Sequence, residues 1–229
     1  MQDRFVFEDE INESAIAIDV KNVKVNNSKL YLFIKRTIDI VGALAGLILL
    51  SPLFLLVAIL IKLEDPKGKV FFGQERNGLY PKTFKMYKFR SMVHNAEELL
   101  HKLQEQNEQS GPVFKIKDDP RITRVGKFIR KTSIDELPQL INVLKGDMSL
   151  VGPRPPIPHE VEQYTPYQMQ RLLVKPGLTC IWQVSGRNNI GFDEWVDMDI
   201  EYIKTRNLWL DIKLIFKTVF VLFGDDNAS

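Results

Sequence analysis

From Ile38 to Ile61 the chain reads IDIVGALAGLILLSPLFLLVAILI, apolar throughout except for Asp39 and Ser51. A helix of that length matches a hydrocarbon layer ~30 Å thick, so membrane contact is expected. Ser51-Pro52 falls near the middle, and a sharp break there leaves arms of roughly 14 and 10 residues, about 21 and 15 Å long, neither of which crosses alone. The flanks are balanced: Lys29, Lys35 and Arg36 precede the run, and Lys62, Lys67 and Lys69 follow it. Orientation follows an asymmetry of positive charge, and equal flanks suit a hairpin with both ends in the cytoplasm. Apolar length keeps a simple span slightly ahead of the hairpin at this level. Asp39 is expected to pair with Lys35 or Arg36 at headgroup depth.

Downstream the spacing changes. Val70–Phe72 and Thr83–Met92 read as short strands around an Asn77-Gly78 turn, a strong hairpin signal. Asn95–Gln109 is an amphipathic helix with Ala96, Leu99, Leu100 and Leu103 on one side. Ile134, Leu137, Leu140, Ile141 and Leu144 recur at helical spacing, with Ser133 as N-cap, Glu136 completing a capping box, Pro138 in the first turn and Gly146 as the stop. Thr165-Pro166 opens a helix to Lys175, which Pro176-Gly177 closes, and Leu178–Val184 reads as a buried strand. Asp193–Thr205 is helical with Trp195, Met198 and Tyr202 on one face. Leu208–Phe223 is apolar enough around its circumference to lie along a membrane interface, with Trp209 at headgroup level; a tail helix packed in the core is the alternative.

The predicted fold class is helix-rich α/β (α+β). Residues 1–28 form a polar tail without a secretory signal, with a weak alternation that suits an edge strand or a docking arm. Residues 29–66 form the membrane element, 67–224 a catalytic domain and 225–229 a short tail. A chain of 229 residues holds one ordinary domain plus such an element. The formal charge of +2 is small and mixed in sign, which excludes a nucleic-acid footprint. The single cysteine, Cys180, rules out an internal disulfide framework and sits among apolar neighbours, in keeping with a reducing, cytosolic setting.

Candidate chemistry concentrates between Arg130 and Pro156. Asp135 and Glu136 are adjacent acids at the start of a predicted helix, for which a plain capping box is an adequate structural account. Gly152-Pro153-Arg154-Pro155-Pro156 adds one guanidinium on a proline-stiffened support, suited to an oxyanion clamp. The segment Lys115–Arg130 is basic, and Arg121, Arg124, Lys127 and Arg130 suit anionic headgroups or a diphosphate. Phe84–Met92 mixes aromatic residues with Lys88 and Arg90, either to stack a base or sugar beside phosphate-binding cations or as a solvated strand face. Ser185-Gly186-Arg187-Asn188 is a second tight turn presenting an arginine. His94, Glu98 and His101 share a helix face without the spacing of a zinc motif. Two acids, rigid arginines, no histidine constellation and a bilayer alongside suit phosphoryl chemistry on a lipid. A carboxylate approaching a diphosphate meets like charge, about 4 kcal/mol per unit pair at 4 Å and an effective dielectric of 20. Arginine forks and Mg²⁺ held by a neighbouring carboxylate would cancel it. Direct transfer and an acyl phosphate on aspartate both remain open.

These residues carry a resemblance. KRTIDIVGA, Ser51-Pro52, the Gln74-Glu75-Arg76-x-Gly78 turn, KFRSM, SIDELPQLINVLKGDMSLVGPRP and KPGLTCIWQVSGRN together resemble the bacterial sugar transferase family, the monotopic phosphoglycosyl transferases, from roughly Leu30 to Gly224. The resemblance implies transfer of a sugar 1-phosphate from a UDP-sugar to polyprenyl (undecaprenyl) phosphate with release of UMP, on the cytoplasmic face of the bacterial inner membrane. By it Asp135 matches the nucleophile and Glu136 the Mg²⁺ ligand, while Arg130, Arg154 and Arg187, joined by Lys88 and Arg90, are the candidate phosphate binders. It also implies a re-entrant membrane segment broken at Ser51 and Pro52, against the span preferred on length. A hexose donor, UDP-glucose or UDP-galactose, is expected, with membrane lipids, a homo-oligomer and downstream glycosyltransferases as partners. The N-terminus departs from the pattern, because large members carry membrane helices and a soluble domain where this sequence has a polar tail. Rival readings are ordinary glycosyl transfer releasing UDP and an inactive membrane-anchored assembly module.

Overall fold

Proline at position 52 has no amide hydrogen for the Ile48 carbonyl, and the Ser51 hydroxyl donates to that carbonyl instead, at 2.8 Å. The computed structural model, which describes residues 23–80, 82–103, 119–185 and 190–224, bends there by 59° between α1 (Lys29–Leu49) and α2 (Ser51–Glu64). Among the described residues no single helix is long and apolar enough to cross a membrane; this bent pair passes the length and composition test only together.

Each arm buries one stripe and exposes the rest. On α1 the buried residues Tyr31, Lys35, Asp39 and Ala43 recur every four positions, one helix face. On α2 they are Val57 and Ile61. Phe33, Val41, Ile48, Leu49, Leu55, Leu56 and Leu63 stay exposed, an apolar surface that water disfavours.

The expected pairing of Asp39 with Lys35 or Arg36 is not what forms. Asp39 accepts hydrogen bonds from the Ser149 hydroxyl at 2.9 Å and the Leu150 amide at 2.8 Å. Lys35 pairs with Asp211 at 3.1 Å and donates to the Val151 carbonyl at 3.0 Å. Arg36 donates to the Val143 and Leu144 carbonyls, at 2.6 and 2.8 Å, which end α5 (Gln139–Lys145). Directional backbone partners and a nearer carboxylate claim all three charges.

The far arm returns to the same body. Glu64, the last residue of α2, accepts from the amides of Arg124 and Val125 at 2.7 and 2.9 Å, satisfying free donors at the start of α4 (Arg124–Lys131). Arg90 grips the next residue, Asp65, with Nη1 2.6 Å from its carboxylate and Nη2 2.7 Å from its carbonyl. Val57 and Ile61 pack with Phe89 and Ile129 in one apolar cluster.

The hairpin forms as expected: β1 (Phe71–Asn77) lies antiparallel to β2 (Thr83–Phe89) with Phe71 opposite Phe89 and Asn77 opposite Thr83. The helix after it, α3 (Ala96–Leu103), is described to Leu103; the remainder of Asn95–Gln109 and the tail to residue 22 lie outside the described residues. A second two-stranded sheet pairs β3 (Ser149–Val151) in parallel with β4 (Gly177–Thr179). The strand expected over Leu178–Val184 stops at Thr179, because β3 ends at Val151 and offers no further ladder; the chain coils into a 3₁₀ turn at Trp182–Val184. Where the strands leave the ladder, a Cβ on Gly177 would lie 2.0 Å from the Gly152 amide nitrogen, so this approach requires glycine.

The segment from Pro158 contains α6 (Pro158–Val161) and α7 (Pro166–Met169), the latter opening at Thr165-Pro166 as expected and closed at its start by a Thr165–Gln168 capping box. The helix predicted to run to Lys175 gives way to a 3₁₀ turn, Gln170–Leu173, and is extended at Val174, since Pro176 disfavours a helical residue before it. α8 (Phe192–Thr205) turns Trp195, Val196, Asp199, Ile200, Tyr202 and Ile203 inward, while Met198 is half-buried. α9 (Leu208–Gly224) buries Asp211 and Leu214 and exposes Trp209, Phe216 and Phe220.

Candidate active site

The capping box proposed for Ser133 does not form. Ser133 adopts a left-handed conformation (φ 55°) with no capping hydrogen bond from its side chain, and Ile134–Glu136 is a 3₁₀ turn. The α-helix starts at Gln139, after Pro138, and ends as expected at left-handed Gly146. The two acids therefore stand in a tight turn ahead of the helix, and a non-glycine residue held at positive φ marks local strain just before them.

Asp135 is buried. Burial pushes its carboxyl up to about 6, with the Glu136 charge adding to the rise and the Lys88 and Arg130 charges opposing it. Desolvation is the largest influence and sets the direction of the shift. Lys88 Nζ lies 2.6 Å from Glu136, and both side chains are partly exposed. Arg130 donates through Nε to the Ser91 hydroxyl at 2.8 Å, and its guanidinium is held down by burial and sustained by the charges of Asp135 and Asp119.

Lys88, Glu136, Gln139 and Arg154 line one shallow, open cleft, walled also by Met86, Leu178 and Gln183. Arg90 is not part of it: both terminal nitrogens are committed to Asp65, which removes it from the set of candidate phosphate ligands. Arg187 lies outside the described residues. Ser51 and Pro52 stand at the bend, as expected. His94 donates its backbone amide to Asp65, and among the described residues no cluster of three or more His, Cys, Asp or Glu forms a metal cage.

Arg154 is supported from three sides. Its guanidinium lies over the rings of Trp195 and Trp182, at 5.4 and 5.9 Å from their centroids. Its carbonyl accepts from Arg171 at 3.2 Å, and Arg171 is itself fully buried against Asp199 at 2.9 Å. Trp195 donates its indole N–H to the same Asp199 carboxylate, also at 2.9 Å. On the other side Arg76 donates to the Pro155 carbonyl at 3.0 Å and the Asn77 amide to the Pro156 carbonyl at 2.8 Å. Burial and the adjacent Arg154 charge press Arg76 down to about 10, still cationic at neutral pH. Neither arginine has a salt-bridge partner among the described residues, leaving positive potential that an anion would neutralise.

Sequence reasoning missed Arg171, Asp199 and Gln139. Arg171 precedes Leu172 and Leu173 and resembles a surface charge at a helix end. The available signal was Trp195 and Asp199 four apart on one helix face.

A Mg²⁺ ion fits this donor set in one way. Such an ion uses one or two protein carboxylates and completes its octahedron with substrate phosphates and water. Glu136 on the cleft wall, beside Asp135, suits that arrangement.

The description "Bacterial sugar transferase" matches residues 30–225. The chain is 50% identical over 202 residues to the galactosyl transferase CpsE of Streptococcus agalactiae, covering 87% of this chain and 44% of that protein. It is 48% identical over 204 residues to the undecaprenyl-phosphate galactose phosphotransferase of Salmonella typhimurium, covering 86% and 42%. It is 43% identical over 189 residues to the exopolysaccharide production protein ExoY of Sinorhizobium fredii, covering 81% and 83%. The chain thus spans less than half the length of the first two relatives and most of the third. By the extent of that match, and by the motifs that build the cleft, the chain belongs to the bacterial sugar transferase family.

Proposed function

We propose that the chain transfers a hexose 1-phosphate from a UDP-hexose to undecaprenyl phosphate, releasing UMP, as the first membrane step of polysaccharide or glycoconjugate synthesis. The observation that carries this reading is the cleft in which the Lys88–Glu136 pair faces Arg154, with buried Asp135 next to Glu136. The names of the Streptococcus and Salmonella relatives carry galactose, and the latter also the undecaprenyl phosphate acceptor. UDP-galactose is therefore the first donor to test, with UDP-glucose beside it.

In the mechanism an Asp135 carboxylate oxygen attacks the β-phosphorus of the donor. The bond from that phosphorus to the oxygen shared with the α-phosphate breaks, and UMP leaves with the electron pair. A lipid phosphate oxygen then attacks the same phosphorus, the bond to Asp135 breaks, and the carboxylate is regenerated as polyprenyl diphosphate sugar departs. Arg154 and Arg130 offset negative charge on the phosphoryl oxygens, and the Lys88 charge opposes the rise in the Asp135 pKa. When bound through Glu136, Mg²⁺ would neutralise charge on the diphosphate.

Membrane geometry follows from docking. A straight span would carry the end of α2 to the far side of the bilayer, away from the body that holds α1. Both arms instead bond to that one body, α1 through Lys35 and Asp39 and α2 through Glu64. The bent pair is therefore read as re-entrant, with both ends and the cleft on the cytoplasmic face of the inner membrane. Exposed Trp209, Phe216 and Phe220 of α9 lie in the interface beside it.

Asp135→Asn should abolish UMP release, and peptide mass spectrometry of the wild-type chain after exposure to donor alone should find a hexose-phosphate adduct on the peptide carrying Asp135. Substantial turnover by the Asn variant sinks the covalent step. Cysteines placed near Lys29 and Lys67 in oriented vesicles should label only from the cytoplasmic side; opposite-side labelling would establish a span. Because attack needs the ionised carboxylate, kcat/KM should fall on the acid side of about pH 6, and Lys88→Met should move that limb to higher pH by removing the charge that holds the Asp135 pKa down. The stability sign is opposite. A carboxyl raised from 3.8 to about 6 in the fold makes the native state gain stability as pH falls between those values, so the acid loss of rate is not unfolding at this group.

A further inference from the structure

Two carboxamides of α5 differ completely in use. Asn142, fully buried, accepts from the Tyr87 amide at 3.0 Å and donates to the Lys85 carbonyl at 2.7 Å, locking the helix to β2. Gln139, one turn earlier, is 3% exposed, lines the cleft beside Glu136, and its side chain makes no hydrogen bond among the described residues. Its amide nitrogen and oxygen keep contact with the cleft, where water or a ligand group is their partner. Nothing in the fold requires a carboxamide there, since a methionine would fill the same volume at lower desolvation cost.

We propose that Gln139 is a specificity-determining residue whose carboxamide hydrogen-bonds hydroxyl groups of the donor's hexose, an inference that rests on the sugar-phosphate reading above. Its chemistry selects that ligand. A carboxamide both donates and accepts, so its complement is a group that does both, as a pair of sugar hydroxyls does. A phosphate only accepts and would leave the amide oxygen unmet, and the cleft already offers Lys88 and Arg154 for phosphate.

Reaction geometry separates sugar from base. Attacking and leaving oxygens lie in line through the phosphorus, so UMP points away from Asp135, whereas the sugar oxygen is equatorial and carries the hexose sideways, beside the nucleophile. Leu137 and Pro138 hold helical backbone angles between Asp135 and Gln139, which brings Gln139 about one turn from the proposed nucleophile. A site built to hydrogen-bond a hydroxyl rejects a donor lacking it more strongly than an apolar pocket does.

The test is calorimetric affinity of the full chain in lipid nanodiscs for UDP-galactose, UDP-glucose and UDP, with Asp135→Asn present in every chain compared so that donor binds without reacting. Gln139→Met, nearly isosteric and without hydrogen-bonding groups, should weaken the preferred UDP-hexose at least tenfold and leave UDP within about twofold. Against a series of singly deoxygenated donors, at least one should bind the Gln139 chain and its variant equally, identifying the contacted hydroxyl. Equal loss for UDP and UDP-hexose, no loss for either, or a Gln139 chain that binds both hexose donors no tighter than UDP overturns the proposal. Gln139→Leu, which likewise removes both hydrogen-bonding groups without adding charge, supplies a second variant should the methionine chain fail to fold, judged by the same sugar-selective loss. Failure of the wild type to release UMP would strike the reaction assignment and leave this binding comparison standing.

Discussion

The Asp39 carboxylate, buried on the inward stripe of α1, accepts from Ser149 and Leu150 and so fixes β3 to that helix. Lys35, one turn earlier on the same stripe, adds the Val151 carbonyl and Asp211, while the Tyr31 and Tyr202 hydroxyls donate to that carboxylate at 2.9 and 2.7 Å. Buried charges of this kind contribute little net stability, but removing one partner typically costs about 3–5 kcal/mol because the other is stranded. The network therefore specifies position. It makes α1, the strand entering the Gly152–Pro156 loop and the terminal helix one unit, which fixes the loop that carries Arg154 relative to the apolar bent pair.

From that unit the electrostatics of the cleft follow. The loop carries Arg154 forward, and the buried Arg171–Asp199 pair holds it from behind. β2 carries Lys88 to Glu136 from the other wall. Asp135 is thereby placed where burial makes it a better base and nucleophile than a surface carboxylate, while nearby cations keep it ionised near neutrality. Desolvation and positive charge pull its pKa in opposite directions, and the value near 6 is their balance.

Legibility in the sequence followed range. Local signals were readable: the Ser51-Pro52 break, the Asn77-Gly78 hairpin, the Thr165 cap and the Gly146 stop all depend on neighbours a few residues away. Ser133 was misread because a capping box and a strained turn share the same residue spacing, and tertiary packing decided between them. Asp39 and Arg90 were misassigned because their partners, Leu150 and Asp65, lie 111 and 25 residues away. Asp135 and Glu136 stood out through their pairing and family motif, whereas Gln139 shows only in three dimensions, where its lack of hydrogen-bond partners among the described residues contrasts with Asn142.

The central claim is that the β-phosphorus of the donor moves with the sugar. Incubating the chain with undecaprenyl phosphate and UDP-galactose or UDP-glucose labelled with ³²P at the β-phosphate tests it directly. The account predicts that the label passes into the lipid fraction while unlabelled UMP accumulates. Label retained in the nucleotide as UDP, with sugar alone appearing on the lipid, would contradict it.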